Sequence, residues 1–452
     1  MGTRPPLLKG LQFAAFMAGL MWVALWNGYP TFYPDSATYI ECGFLLETPV
    51  DRPITYGLLL RLTSLEGVSL WIVVLFQCAL LAATTLAFIR LFAPHLAMLI
   101  AIVVCGLTGV SFLGSQVMTD VYTPLMVMAL VLYGLSDRQW SGWLGLYVLA
   151  LAMHASHLAL AVCLVPLLLV ILWKTRLRDR KAILGKSWRL LLGTGIAYVA
   201  LNISMVKSTE AFYAAHLAET GDLQAYLNGA CPEKNYELCS RAVDLPRSAE
   251  IFLWDSSGVA HSYPSRERMR ADLRRIIGDM FADNATRNGI IASTVQFGTR
   301  QLSAFGIGEG NVQFQPGSTV HRRIARFFPA EVERFEAMKQ NTPDVFSPTV
   351  SRLNTFYWWV TVVALVLMLP VVVSVYRRNG PLFPAIALFI VLSYVANCFI
   401  NAGMVVVAQR FGAKLIWMLP LIVLVGLGVW FSKPLGGAIA RSRAVVNDPA
   451  EG

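Results

Sequence analysis

The sequence predicts an all-α polytopic membrane protein of about ten transmembrane helices, with a mixed or mainly helical loop domain on the outer face. Three observations carry this. Of 452 residues, 56% are hydrophobic and only 14% charged, where soluble domains run nearer a quarter charged. Apolar runs recur at lengths of roughly 17–25 residues, enough to cross a bilayer as helices. The 12 Trp, 15 Tyr and 24 Phe gather at the ends of those runs, as an aromatic belt requires.

Taken in order, the apolar runs lie near 11–30, 69–90, 95–114, 120–136, 143–173, 190–207, 354–376, 382–401 and 412–431. The run 143–173 is too long for one span and holds His154-Ala-Ser-His157 at its middle. It is therefore divided into two short helices meeting at the outer surface, which makes ten spans. The cations test this count. Arg90, Arg138, the stretch Lys174–Lys181, Lys186, Arg189, Arg377, Arg378, Lys433, Arg441 and Arg443 then fall on one side with Arg4 and Lys9. That side is the cytoplasmic face and holds both termini. An undivided span would put the 174–189 cluster outside. No small-residue cleavage site follows the first ten residues, so the first span is expected to stay as an anchor.

The chain is thus organised as an N-terminal membrane module, 1–207, with a first outer loop at 31–68. An extracytoplasmic loop domain, 208–353, follows, and then a C-terminal membrane module with a cytoplasmic tail, 354–452. Within the large loop, Ser265 to Phe281 spaces Met269, Leu273, Ile276, Ile277 and Met280 as one helix face. Pro329 to Lys339 predicts a second short helix, with proline near its first turn. Phe356-Tyr-Trp-Trp359 marks re-entry into the bilayer. The formal charge of +10 does not signal nucleic acid, because the Lys and Arg residues sit in short loops where they orient the spans. Cys78, Cys105, Cys163 and Cys398 lie within apolar runs as packing residues, and Cys42 has no obvious partner. Cys231 and Cys239 are expected to form a local disulfide if their segment is outside the cytosol; zinc is the weaker reading, since no second ligand pair has matching spacing.

The residues that can carry chemistry collect on the predicted outer face. Asp35 stands just past the first span in Tyr33-Pro-Asp-Ser-Ala-Thr-Tyr39, and Asp51-Arg52-Pro-Ile-Thr-Tyr56 follows. A carboxylate there can accept a proton from a hydroxyl or hold a metal ion; otherwise it only keeps the helix end at the surface. Asp120, in Val-Met-Thr-Asp-Val-Tyr-Thr-Pro, either lines a cavity or caps a helix with Thr119. His154 and His157, three residues apart, share a helix face if the turn is helical, and serve either as packed polar groups or as phosphate or metal contacts. Arg410 and Lys414 open the last span, as snorkelling cations or as partners for a phosphate. No GxxxxGK, GxGxxG, HExxH or GxSxG pattern is present.

In this order and sidedness the chain resembles the GT-C superfamily, multi-span glycosyltransferases that use polyprenyl-phosphate sugars. It is most similar to bacterial relatives of the protein mannosyltransferases and the lipid A aminoarabinose transferases. The likeness rests on Asp35-Ser-Ala-Thr-Tyr39, on Arg52-Pro53-Ile-Thr-Tyr56-Gly-Leu-Leu-Leu, on Asp120, and on Arg410-Phe411 with Pro420. It implies a GT-C-like fold and an inverting transfer to a cell-envelope glycan, lipid or protein. Asp35 would be the base. Asp120 would hold the acceptor, a metal ion or His154. Tyr39, Arg52, Tyr56, His154, His157, Arg410 and Lys414 would bind substrate. A divalent metal ion stays open as a cofactor. The implied setting is a bacterial inner membrane with the site on its outer side. Two other readings stand beside it: a transporter or lipid-linked glycan flippase, and a non-catalytic assembly partner.

Overall fold

The computed structural model describes residues 6–137, 141–175, 180–204 and 209–431, with the side chains of 6–9 left aside. Arg4, Arg138, Arg176, Arg178, Lys433, Arg441 and Arg443 of the predicted cationic face lie outside the described residues, as does the side chain of Lys9. The end of the predicted span 190–207 lies outside them too.

The described residues are helical, with no strand among them. The first half of the chain forms α1 (Pro6–Asn27), α2 (Ser36–Leu45), α3 (Thr55–Thr63), α4 (Leu70–Phe92), α5 (Ala97–Leu107), α6 (Val110–Ser115), α7 (Tyr122–Leu135), α8 (Gly142–Met153), α9 (Ala155–Lys174) and α10 (Arg180–Ile203). Next come α11 (Thr209–Thr220), α12 (Asp222–Ala230), α13 (Ala249–Trp254), α14 (Val259–Ser262), α15 (Arg266–Ala282) and α16 (Asn284–Ser303). The rest comprises α17 (Thr319–Phe327), α18 (Val332–Glu336), α19 (Pro343–Asn379), α20 (Leu382–Met404), α21 (Gln409–Ile416) and α22 (Met418–Phe431).

Among the described residues, six stretches are long and apolar enough to cross a membrane: Gly10–Asn27, Leu70–Phe92, Ala155–Lys174, Pro343–Asn379, Leu382–Met404 and Gln409–Phe431. The protein is therefore membrane-integral in character, with six such helices among the described residues and shorter apolar helices at Pro94–Leu107, Thr119–Leu135 and Gly142–Met153. The other predicted spans are altered for local reasons. The run 95–114 is broken where Thr108 turns extended before Gly109. Helices α7 and α8, at 14 and 12 residues, reach only about 18–21 Å at 1.5 Å per residue, short of the ~30 Å hydrocarbon layer. Helix α10 (24 residues) carries Arg180, Lys181, Lys186 and Arg189 in its first ten residues, and only 190–203 of the predicted span 190–207 lie in it. The expected division of 143–173 is present: His154 is extended, its ring accepts from the Ser156 amide, and α9 starts there.

The chain forms two compact units. The first comprises 1–205, 306–394 and 413–452. In it, α4 packs against α1, α5, α6, α7 and α22. Its N-terminus is capped twice, by Ser69 locally and by Glu331 from far along the chain. The buried Glu331 carboxylate accepts from Tyr29 Oη at 2.6 Å, Ser69 Oγ at 2.6 Å and the Leu70 amide at 3.0 Å. Tyr29 and Phe32 stack on each other and meet the edge of Phe335, while Phe44 stacks on Phe327. These aromatic contacts explain why 306–353 joins the first unit instead of the loop domain 208–353 predicted from polarity alone.

The second unit comprises 206–305 and 395–412. Its core is built from Leu217, Leu223, Leu227, Phe252, Leu273, Ile276 and Met280. The periodicity of 265–281 is met by α15, with Ser265 accepting from the Arg268 amide and Met269, Leu273, Ile276 and Met280 buried. Cys231 and Cys239 are joined by a disulfide. Gln301 fastens 395–412 to this core by exchanging two hydrogen bonds with Ala408, and His216 Nδ1 donates to the Val405 carbonyl at 3.1 Å.

Helices α2 and α3 cross at two glycines. A Cβ on Gly43 would stand 2.1 Å from the Gly57 carbonyl oxygen, a backbone atom that cannot step aside. Overpacking of this kind typically costs ~1–3 kcal/mol. Gly43→Ala is expected to lower the thermal unfolding midpoint in detergent, whereas Gly106→Ala, whose new methyl meets nothing within 4 Å, is expected not to. Equal midpoints for Gly43→Ala and wild type would disprove the crossing.

Candidate functional site

All residues of the candidate site described next belong to the first unit. Its frame is a junction of three segments. Residue 31 forms a parallel bridge with residue 116, backed by Thr31 N to the Ser115 carbonyl at 3.0 Å and Val117 N to the Thr31 carbonyl at 3.0 Å. Ser36 Oγ donates to the Val117 carbonyl at 2.9 Å. The third segment is a tight turn, Gly308–Asn311, closed by Asn311 N to Gly308 O at 3.0 Å. Asn311 Nδ2 donates to the Phe32 carbonyl at 3.1 Å, and Gln116 Nε2 donates to Asn311 Oδ1 at 3.3 Å. Gly310, at φ +73°, lies so close to Tyr33 that a Cβ would clash with its ring. This junction holds Asp35 and Asp120 on neighbouring segments.

Asp35 sits at the N-terminus of α2 but does not cap it. Its carboxylate faces Arg52 Nη1 at 3.1 Å and is one-quarter exposed. An aspartate at such a position ordinarily accepts from the next helical amides. Here the carboxylate meets the cation of the following loop. Arg52 is held by Asp51 as well, and its guanidinium lies 5.2 Å from the centre of the Tyr39 ring. Tyr39 is buried; burial pushes its phenol up to about 12 against the pull of Arg52, so it stays protonated at neutral pH. Its hydroxyl meets Thr119 Oγ1 at 3.3 Å, next to Asp120.

Asp120 and Lys414 form an ion pair at 3.0 Å, each side chain almost wholly buried. Asp120 therefore serves as a partner to a cation, and Thr119 as a partner to Tyr39, in place of the capping pair that the local sequence allows. His157 lies within electrostatic reach of both charges. Its Nδ1 donates to the Ala150 carbonyl at 2.6 Å, so that neutral Nε2 accepts from Thr123 Oγ1 at 2.8 Å. His154 turns instead to Ser156 at 2.8 Å. Of the two imidazoles, His157 belongs to the ion-pair cluster and His154 to the helix junction. Tyr56 packs edge-on between Tyr39 and Tyr122, and its hydroxyl donates to Gln77 Oε1 at 2.6 Å.

The structure thus brings together Asp35, Tyr39, Arg52, Tyr56, Asp120, His157 and Lys414. Arg410 belongs to the second unit, where its guanidinium lies 5.0 Å from the centre of the Phe411 ring. Gln77, Thr123 and the 308–311 turn escaped the sequence reading, and Thr119 entered it only as a capping residue. Gln77 was discernible as the lone amide within an apolar run of 23 residues. The turn was not, because it lies nearly 300 residues from its partner Phe32.

The residues present do not fit a divalent ion. Among the described residues no group of three or more His, Cys, Asp or Glu is placed to hold one, and each of the two acids already faces a cation. Comparison with known protein families, curated proteins and solved structures finds no match.

Breaking a buried ion pair leaves an uncompensated charge and costs ~3–5 kcal/mol, whereas replacing both partners is often near neutral. Lys414→Met and Asp120→Leu are each expected to lower the unfolding midpoint sharply, and the double variant to recover most of the loss. Additive losses in the thermal unfolding cycle would show that the two charges are not coupled.

Proposed function

We propose that the protein is an inverting glycosyltransferase that moves a sugar from a polyprenyl-phosphate donor to a cell-envelope glycan, lipid or protein acceptor. The observation that carries this reading is the Asp35–Arg52 pair. A part-exposed carboxylate and a guanidinium fork stand together at the head of the loop that follows the first long apolar helix. A hydroxyl acceptor and a phosphate-bearing donor need that combination of groups.

In the proposed reaction Asp35 accepts the proton of the acceptor hydroxyl as its oxygen attacks the anomeric carbon. The new carbon–oxygen bond forms as the bond from that carbon to the phosphate oxygen breaks, and polyprenyl phosphate leaves with the electron pair. Arg52 is placed beside the carboxylate and supplies donors for phosphate oxygens as their charge develops. The Tyr39 ring lies 5.2 Å from the guanidinium and helps to position it. Asp120, Lys414 and His157 form a neutralised support under Thr119 and Tyr39, and act by positioning. The Asp35 proton passes to solvent in the resting enzyme. The setting proposed is a bacterial inner membrane, with this loop on its outer side.

One observation favours a second reading, a transporter or lipid-linked glycan flippase. Buried charge pairs with a neighbouring histidine are common on ion and substrate pathways. The two readings separate in one assay. Purified protein in nanodiscs, given a panel of polyprenyl-phosphate sugars and glycan or lipid acceptors, is expected to release polyprenyl phosphate. Asp35→Asn is expected to slow release by ~10²–10⁴-fold while keeping the wild-type unfolding midpoint. Absence of release with every donor, or equal release by the variant, would refute the Asp35 mechanism. Donor movement across liposomes without release would establish the flippase.

A further inference from the structure

We propose that the paired ends of α2 and α3, with the turn that follows α3, form a wedge that docks into the headgroup layer of an anionic lipid bilayer. The wedge does not depend on the glycosyltransferase reading. Four large apolar side chains stand out from this tip: Leu46 at 60% exposure, Leu62 at 68%, Leu65 at 58% and Val68 at 64%. Two of them are held at a backbone cost. Leu46 and Leu65 lie in the left-handed region, at φ 59° and 55°, with Glu66 beside them at 57°. Non-glycine residues pay about 1–2 kcal/mol for that conformation.

The strain is stabilised by a tight turn, with Glu66 N donating to Arg61 O at 3.0 Å and Val68 N to Ser64 O at 2.9 Å. In water this arrangement is unfavourable twice, through the strained backbone and through bare leucines. Insertion into lipid removes the second cost.

Continuity and charge identify the occupant. Val68 precedes Ser69, the cap of α4, and α4 is long and apolar enough to cross a membrane. The tip therefore stands at the end of such a span, at the level where headgroups begin. Helix α17 packs against it: Phe327 stacks on Phe44 at 4.8 Å, and the Phe327 carbonyl closes on Gly67. Two arginines one turn apart on α17, Arg322 and Arg326, are exposed. Arg323 is paired with Glu41 and Arg61 with Glu66; Glu47 and Glu66 are exposed acids at the tip. An apolar edge flanked by arginines is the pattern of an interfacial element on an anionic surface.

The wedge also sets a height. Helix α2 runs from Asp35 to the tip, α3 runs from near Arg52 to the tip, and the Gly43–Gly57 crossing locks the two together. The depth of Leu46 and Leu65 in lipid therefore fixes how far the Asp35–Arg52 pair stands from the bilayer.

The test is a bimane probe at Leu65→Cys, or at Val68→Cys should the first variant misfold, in full-length protein lacking the exposed Cys163. In phosphatidylglycerol nanodiscs, lipids brominated near the headgroup end of the chain are expected to remove more than about half of the fluorescence, with little quenching by aqueous iodide. Emission is expected to shift to the red in phosphatidylcholine discs, and Arg322→Gln/Arg326→Gln is expected to abolish that lipid difference. Strong iodide quenching with no bromolipid effect would overturn the wedge. Shielding from both quenchers would put protein, such as a second copy, over the tip and overturn it too. Insertion indifferent to lipid charge and to the arginine changes would overturn the anionic specificity.

Discussion

An isolated charge cannot be kept in an apolar interior, and this constraint shapes the first unit. Water is not there to solvate it, so each buried ionic group must find a partner within the protein. Asp120 finds Lys414. Glu331 finds two hydroxyls and an amide. Lys186 donates to the Tyr133 carbonyl at 2.8 Å. Each of these partnerships joins segments far apart in sequence. The helices supply apolar faces that pack in many similar ways, and these few polar contacts select one arrangement among them.

Around the candidate site the same logic runs outward in steps. The deepest layer, Asp120 with Lys414 and His157, is closed and neutralised. Above it, Tyr39 and Thr119 share a hydroxyl contact within a ring of tyrosines. At the surface, Asp35 and Arg52 pair with part of the carboxylate still open to solvent. Polarity thus grades from a support that water does not reach to a pair that a substrate can approach. A cluster with this gradient is buried and neutralised at its base and part-open at its edge.

Much of the fold was legible because hydrophobic length and period report on single helices. The face of α15 and the break at His154 were read directly from spacing and from one polar interruption. The helix ends were not, since a run of apolar residues does not reveal that Thr108 turns the chain or that α7 stops after 14 residues. The fate of 306–353 was illegible for another reason. Its polarity resembles that of 208–305, and only the aromatic partners Tyr29, Phe32 and Phe44, nearly 300 residues away, assign it to the first unit. The same limit applied to the site. Asp35, Arg52 and Asp120 stood out as charges beside apolar runs, but the pairing of Asp120 with Lys414 is a tertiary fact. Charge type and approximate depth can be read along a chain; the partner cannot.

That pairing has a consequence for the order in which the protein is made. Asp120 and Lys414 are separated by 414 − 120 = 294 residues. At a synthesis rate of about 5–20 residues per second, the acid emerges roughly 15–60 s before its lysine. During that interval the carboxylate must stay in contact with water or be sheltered by insertion machinery. The 206–305 segment emerges within the same interval and has time to close its own core and disulfide. The site is therefore completed last, when the final apolar hairpin arrives with its cation, and a chain truncated before α21 would carry the acid without the charge that answers it.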